Sequence, residues 1–117
     1  MGAIHAARVY DRASLPEGRR VLVERLWPRG VRRGELALDD WLRAVAPSTE
    51  LRRWFGHDPA RWEEFRRRYT AELDASPEAW RPLLDAARSG PLVLLFSARD
   101  EEHNNAVALR DYLLAHR

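Results

Sequence analysis

Short apolar runs separated by polar turns predict three β-strands along this chain. The clearest is Leu92–Phe96, a run of five apolar residues between Pro91 and Ser97, which is typical of a strand buried on both faces. Val21–Trp27 is a second apolar segment of this kind, and Ala6–Tyr10 is expected to be a third strand. The pattern therefore predicts a small sheet of about three short strands.

The segments between and after the strands carry apolar residues at helical spacing, together with capping residues. Phe65, Tyr69 and Leu73, for example, recur every four residues, which places them on one face of a helix. Serine, aspartate and proline mark the starts of the predicted helices, and glycine marks the ends. The five predicted helices are a short one starting at Asp39 or Asp40, Thr49–Phe55 behind the N-cap Ser48, one opened by Asp58 and Pro59, one opened by Ser76 and Pro77, and one from about Glu102 to Ala115.

The long helical excursion between Val21–Trp27 and Leu92–Phe96 predicts an enlarged β-α-β crossover. Such crossovers join parallel strands and are nearly always right-handed. We therefore expect one α/β domain over residues 1–117, a small three-layer unit with a short, mainly parallel sheet flanked by helices. Parallel strands end at the same edge of a sheet, so residues 25–30 and 97–105 should be neighbours in space.

Composition narrows the chemistry that this chain can perform. It has no cysteine, so it forms no disulfide, zinc–thiolate site or thiol nucleophile. Its apolar runs fall short of the roughly 20 residues of a membrane span, and its N-terminus lacks the layout of a signal peptide. We therefore expect a cytoplasmic protein with no membrane contact. All 20 basic residues are arginine, which binds phosphate and carboxylate groups bidentately, although a complete lack of lysine is more typical of genome-wide base composition.

Polar residues crowd the end of the last predicted strand. Asp100 and His103 are three residues apart, so they share a helix face if the final helix has begun by then. A carboxylate beside an imidazole holds it in one tautomer and raises its basicity, as general-base catalysis requires. Asn104 and Asn105 can donate hydrogen bonds to a substrate oxygen. In the alternative interpretation, Asp100 is only an N-cap and His103 packs at the strand end.

A second polar group belongs to the strand predicted at Val21–Trp27. Arg25 is a charged residue in an otherwise apolar strand, and it needs a partner if it is buried. Asp100, at the end of the neighbouring strand, is the expected partner. Trp27 can stack on a planar ligand, and Arg29 can bind an anion. A structural ion pair between Arg25 and Asp100, with Trp27 in the core, is the competing interpretation.

The third polar group surrounds the predicted helix Thr49–Phe55. Ser48, at its start, can form an anion-binding turn with the backbone N–H groups there. Arg52 follows one turn later, and His57 comes just after the glycine that ends the helix. Helix capping alone also explains Ser48, so both interpretations stay open.

Several familiar kinds of site are absent from the sequence. No histidine pair has the i,i+4 spacing of a helical metal site, no glycine-rich phosphate loop follows a strand, and Ser97 is not in a nucleophile elbow. We therefore expect no metal and no cofactor. The run Arg66–Arg68 is balanced by Glu63 and Glu64 at helical spacing, so nucleic-acid binding is only weakly supported.

Three segments, in this order and spacing, resemble the YeaO-like family of unknown function (DUF 488). They read V-L-V-E-R-L-W-P-R-G, A-P-S-T-E-L-R-R-W-F-G-H-D-P and L-L-F-S-A-R-D-E-E-H-N-N-A, and the likeness runs from about Arg8 to Leu114. The resemblance implies a compact bacterial α/β domain with a small parallel sheet between helices, and it implies no established reaction. The family's signature residues match at Arg25, Trp27, Pro28, Arg29, Gly30, Pro47, Ser48, Arg52, His57, Asp100, His103, Asn104 and Asn105.

The leading hypothesis is a pocket at the carboxyl ends of the strands that binds a small anionic ligand, either phosphate-bearing or nucleotide-like. Cofactor-free hydrolytic or proton-transfer chemistry stays open, with Asp100 and His103 as the catalytic candidates. A non-catalytic protein- or nucleic-acid-interaction module and a purely structural ion-pair network are the alternatives, and the oligomeric state is left open. The candidate ligand-binding residues are Arg25, Trp27, Arg29, Ser48, Arg52, His57, Asn104 and Asn105.

Overall fold

The computed structural model describes residues 2–117 and contains a four-stranded parallel sheet. This confirms the predicted α/β class and adds one strand to the three expected. The first strand begins and ends two residues earlier than the predicted Ala6–Tyr10, because a 3-10 turn starts at Val9. The strands, in the spatial order β1-β4-β2-β3, are β1 Ile4–Arg8, β2 Arg19–Leu22, β3 Asp40–Trp41 and β4 Leu92–Phe96.

β4 lies at the centre of the molecule and is covered on both faces. All five of its residues are buried, and it pairs with β1 on one side and β2 on the other. Leu92, Leu94 and Phe96 pack into the larger hydrophobic cluster, which the helices cover. Val93 and Leu95 pack into a smaller cluster on the opposite face. Because side chains alternate along a strand, an unbroken apolar run is what burial on both faces requires.

Four helices cover the larger cluster, and most of their ends follow the predicted capping residues. Ser48 accepts a hydrogen bond from the backbone N–H of Leu51, and Gly56 ends the first helix with a left-handed φ of 54°. Ser76, by contrast, makes no side-chain cap bond. Between residues 2 and 117, every helix is too short or too polar to cross a membrane. The helices are α1 Thr49–Phe55, α2 Trp62–Ala75, α3 Pro77–Ser89 and α4 Asn105–His116.

The prediction of a helix starting at Asp39 or Asp40 is wrong, because this segment forms the edge strand β3. The backbone N–H of Asp39 donates to Arg20 O at 2.9 Å, and that of Leu42 donates to Leu22 O at 2.9 Å. The Asp39 carboxylate also accepts the backbone N–H of Arg20 at 2.8 Å. These bonds to β2 hold the segment extended, and tertiary pairing thus overrides its weak helical pattern.

The second strand is shorter than predicted, and this changes where its polar residues lie. β2 ends at Leu22 instead of Trp27, and Val23 N makes a last, long hydrogen bond to Leu95 O at 3.3 Å. The neighbouring strand β4 stops at the next residue, so β2 has nothing further to pair with. Arg25 therefore lies in the loop after the strand, whereas the sequence pattern places it within the strand.

The final helix begins three residues later than expected because Asn104 provides its N-cap. Asn104 Oδ1 accepts a hydrogen bond from the backbone N–H of Val107 at 3.0 Å, and the helix proper starts at Asn105. Asp100 and His103 consequently lie in the turn that precedes the helix, and not on its face.

We predict that Tyr69→Phe lowers the free energy of unfolding by about 1–3 kcal/mol. The hydroxyl of Tyr69 is buried and donates to Val45 O at 2.5 Å, so its loss leaves a buried carbonyl without that partner. Tyr10→Phe is the matched control, because Tyr10 donates to Arg29 O from an exposed position, and we expect a change below about 0.5 kcal/mol. Urea denaturation of both variants measures the difference, and equal losses would contradict the prediction.

Candidate functional site

A cavity of about 300 Å³ opens at the place where β2 and β4 end. Residues that follow the two strands meet there although they are 73 residues apart in the sequence, as parallel pairing predicts. α1 and its C-terminal turn supply another wall, and the first residues of α4 complete it. We call this space the strand-end cavity, and its polar lining includes Glu24, Arg25, Arg52, His57, Ser97 and Asn105.

The structure brings most of the predicted site residues together in this cavity, but not all of them. Ser48, Asp100 and His103 lie outside its lining, so the pair predicted to be catalytic is not in the cavity. The seven predicted residues that line the strand-end cavity are Arg25, Trp27, Arg29, Arg52, His57, Asn104 and Asn105.

Glu24 is the cavity residue that the sequence analysis did not single out. It follows β2, and its Oε1 accepts the backbone N–H of Ser97 at 2.6 Å. The Ser97 hydroxyl approaches both carboxylate oxygens, at 3.0 and 2.8 Å. Burial raises the pKa of Glu24 above its usual value, while the bonds from Ser97 and the charges of His57 and Arg52 act to lower it. The sequence signal that could have identified Glu24 is an acidic residue next to Arg25 at the end of an apolar run.

Arg25 does not form the predicted ion pair with Asp100. Its Nε donates to Pro47 O at 2.8 Å, and its Nη2 donates to Ala46 O at 3.3 Å. The reason is that β2 ends at Leu22, three residues before Arg25. The chain has therefore already left the sheet at Arg25, which faces the loop before α1. The guanidinium thus ties this loop to the cavity wall.

The three arginines that line the cavity form no salt bridge with the residues that the structure describes. Within residues 2–117, no carboxylate lies within 4.0 Å of the guanidinium groups of Arg25, Arg29 or Arg52. Arg29, Arg52 and His57 are exposed to solvent. His57 has a φ of 57°, a left-handed conformation that residues other than glycine rarely adopt. Its ring lies 6.2 Å from that of Phe55, and both residues line the cavity.

Asn104 and Asn105 use their amide N–H groups to fix the start of α4 beside the cavity. Asn104 is buried, and its Nδ2 donates to Asp100 O at 2.9 Å. Asn105 Nδ2 donates to Val23 O at 2.7 Å, which joins the helix to the end of β2. These bonds place the N-terminus of α4 at the cavity wall, with its positive dipole end nearby.

Asp100 and His103 form a close pair, but the pair faces α2. The two side chains meet at 2.9 Å between Nδ1 and Oδ2, and the imidazole packs edge-on against Trp62 with ring centroids 5.3 Å apart. Hydrogen bonds from the backbone N–H of Glu102, the His103 side chain and the His103 backbone hold the pKa of Asp100 below its usual value. Asp100 therefore stabilises the turn before α4.

Ser48 is engaged in structure rather than directed at the strand-end cavity. Its hydroxyl accepts from Leu51 N at 3.1 Å and donates to Glu72 Oε2 at 2.6 Å. Its backbone N–H also donates to Glu72 Oε1 at 2.8 Å. This pair borders a second cavity of about 330 Å³, and Arg25 lies in the wall between the two cavities.

The strand-end cavity combines cationic donors with an apolar wall. Phe55 and Phe65 are stacked with ring centroids 4.3 Å apart and line it, as does Trp27. Guanidinium groups bind oxyanions strongly, and aromatic walls suit planar groups. In residues 2–117, no three His, Asp or Glu side chains gather closely enough to hold a metal ion.

Comparisons with known proteins confirm the predicted resemblance. A family model described as the inactive DUF488-N3 subclade matches residues 3–117, which include every strand and the whole cavity lining. The chain is 44% identical over 110 residues to the uncharacterized protein YeaO of Escherichia coli (strain K12), covering 94% of this chain and 96% of YeaO. It is 45% identical over 73 residues to the uncharacterized protein Mb3100c of Mycobacterium bovis, 62% of each chain. No solved structure matches the chain.

We predict that Glu24→Gln raises the midpoint of thermal unfolding at pH 7. Burial raises the pKa of Glu24 in the folded protein above 4.5, so its ionised form costs stability that a neutral amide does not. That cost is absent below pH 4.5 and develops as the pH rises through the folded pKa. The midpoints of the wild type and the variant should therefore converge in acid.

Glu17→Gln serves as the control for this prediction, because Glu17 is exposed in a loop and should change stability by less than about 0.5 kcal/mol. Thermal melts recorded between pH 4 and pH 8 by circular dichroism are the measurement. A Glu24→Gln protein that melts below the wild type at neutral pH would show that the charge at this position is stabilising.

Proposed function

The chain belongs to the family described as the inactive DUF488-N3 subclade, and we propose that it binds a small phosphate-bearing anion in the strand-end cavity without converting it chemically. The observation that carries this proposal is the group of arginines at the cavity. Arg25, Arg29 and Arg52 all line the cavity, and no carboxylate lies within 4.0 Å of their guanidinium groups in residues 2–117. These three arginines outnumber Glu24, the one carboxylate that the described residues contribute to the lining, and arginine suits phosphate oxygens geometrically.

The position of the cavity in the fold also favours an anion. Ligands of parallel α/β sheets bind in the crevice at the carboxyl ends of the strands. α4 begins there at Asn105, and it is twelve residues long, so its N-terminus carries a substantial partial positive charge. Arg52 and the start of α4 therefore act on the same space.

Binding without catalysis agrees with where the acid–base residues lie. Asp100 and His103 are outside the cavity lining, and the Asp100 side chain is committed to the turn before α4. Glu24 is inside the lining, but within residues 2–117 its carboxylate accepts hydrogen bonds from Ser97 alone, so no second acid or base is hydrogen-bonded to it. The description of the family as inactive points in the same direction. Asp100 and His103 could catalyse hydrolysis or proton transfer only in contact with the ligand. In this geometry they lie outside the lining of the cavity in which we propose that it binds.

An interaction module is the second candidate, and the tryptophans of the surface are the observation that favours it. Arg43 lies 3.8 Å from the ring centroid of Trp41, and Arg68 lies 4.2 Å from that of Trp54. Such stacks offer both positive charge and flat apolar surface to single-stranded nucleic acid. Salt dependence separates this candidate from the first, because nucleic-acid affinity falls steeply with salt.

We predict that Arg52→Gln weakens the binding of inorganic phosphate and of nucleoside monophosphates by about tenfold or more. A hydrogen bond to a charged group contributes about 1.5–3 kcal/mol, which corresponds to that range. Arg53→Gln is the matched control, since Arg53 is the next residue of α1, is also exposed, and lies outside the cavity lining. Calorimetric titration at pH 7 and low salt measures both variants.

Three results of this experiment count against the proposal. The wild type binds neither phosphate nor any nucleotide, or Arg52→Gln and Arg53→Gln behave alike, or chromatography detects conversion of the bound nucleotide. The interaction module is supported instead if the protein binds a single-stranded oligonucleotide with an affinity that falls steeply as salt is added and that Arg52→Gln does not change.

A further inference from the structure

Glu24 is the feature of the strand-end cavity that an anion site alone does not explain. A carboxylate beside the arginines weakens their attraction for an anion, and no guanidinium within residues 2–117 lies within 4.0 Å of it as an ion-pair partner. Resting on the proposed function, we infer that Glu24 accepts a hydrogen bond from the ligand, so that the cavity selects a nucleoside monophosphate with an amino-bearing base.

Glu24 keeps acceptor capacity after its bonds to Ser97 are counted. A carboxylate offers about four lone-pair sites, whereas Ser97 supplies two donors, one backbone N–H and one hydroxyl. The hydroxyl carries a single proton and so satisfies only one of the two oxygens that it approaches. Ser97 therefore orients the carboxylate and leaves sites on it for donors that come from the cavity.

Asn105 supplies a second acceptor on the same lining. Its Nδ2 donates to Val23 O at 2.7 Å, which fixes the orientation of the amide. Its Oδ1 has no donor partner among residues 2–117, and an amide oxygen accepts two hydrogen bonds. Glu24 and Asn105 thus form an acceptor pair where β2 and α4 meet.

The acceptor pair and two of the three cavity arginines differ in burial. Glu24 is half-buried against the end of β4, whereas Arg29, Arg52 and His57 are exposed at the rim. A ligand that satisfies both must carry an anionic group at one end and N–H donors at the other. Phosphate and an amino-bearing base have this arrangement in a nucleoside monophosphate.

The walls and the size of the cavity fit the same class of ligand. Phe55, Phe65 and Trp27 contribute aromatic groups to the lining, which suits a planar ring. The volume of about 300 Å³ is at the lower limit of typical small-molecule pockets, about 300–1,000 Å³, which favours a mononucleotide over a dinucleotide.

Pairs of nucleotides that differ by one amino group test the inference directly. Guanosine and inosine 5′-monophosphates differ at the 2-amino group, and adenosine and purine-riboside 5′-monophosphates differ at the 6-amino group. We expect the wild type to bind the amino-bearing member of one pair about tenfold tighter or more, as a charged hydrogen bond implies. Inorganic phosphate is the probe for the anion site alone. Calorimetric titration at pH 7 gives each dissociation constant.

Glu24→Gln should reduce that preference to about twofold or less, because an amide that donates toward the ligand opposes its N–H group. Phosphate affinity should be unchanged or higher, since a negative charge has been removed. Glu72→Gln is the matched control, as Glu72 also accepts the backbone N–H and hydroxyl of a serine, Ser48, but borders the other cavity. It should keep the full preference.

The outcomes separate this inference from the proposal on which it rests. A wild type that binds phosphate but prefers neither amino-bearing nucleotide overturns the inference and leaves the anion site standing. A preference that survives Glu24→Gln overturns it as well, and so does an equal gain in affinity for all ligands, which would make Glu24 a repelling charge only. A wild type that binds neither phosphate nor nucleotide removes the anion site and the inference together.

Discussion

The parallel pairing of β2 with β4 is the constraint on which the rest of this structure depends. Val21 and Leu94 are opposite each other in the register, and burial of both strands leaves little freedom to shift it. With that register set, the strands stop at the same edge, and Glu24 meets Ser97 across it. A shift by one residue would turn every apolar side chain of β4 to the other face and separate the two polar ends.

Much of the polar chemistry at this edge holds the protein together. Arg25 fastens the loop before α1, Asn104 caps α4, and Asn105 ties that helix to the end of β2. Each of these side chains also borders the strand-end cavity, so the groups that shape the cavity are those that close the fold around it. These hydrogen bonds therefore hold part of the cavity lining in place.

Features with a local cause could be predicted from the sequence, and features with a distant cause could not. The five-residue apolar run defined β4, and Ser48 and Gly56 defined α1, because these signals act within a few residues. β3 has only two residues, and the weak helical pattern of its segment favours a different structure, so its extended form depends on pairing with β2. The hydrogen-bond partners of Arg25 and Glu24 also come from distant segments of the chain, so the local sequence does not indicate them. Proximity of residues 25–30 to residues 97–105 was predictable from parallel topology, whereas the individual contacts at this edge were not.

The brevity of β3 has a consequence for how the protein behaves in a crowded solution. The outer edge of a sheet exposes backbone groups that can pair with another chain and begin aggregation, and many proteins guard it with lysine. This chain has no lysine, and its sheet ends on that side at Asp40–Trp41. A two-residue strand offers almost no backbone groups with which a strand of another chain could pair. The shortness of β3 itself therefore protects this edge of the sheet from aggregation.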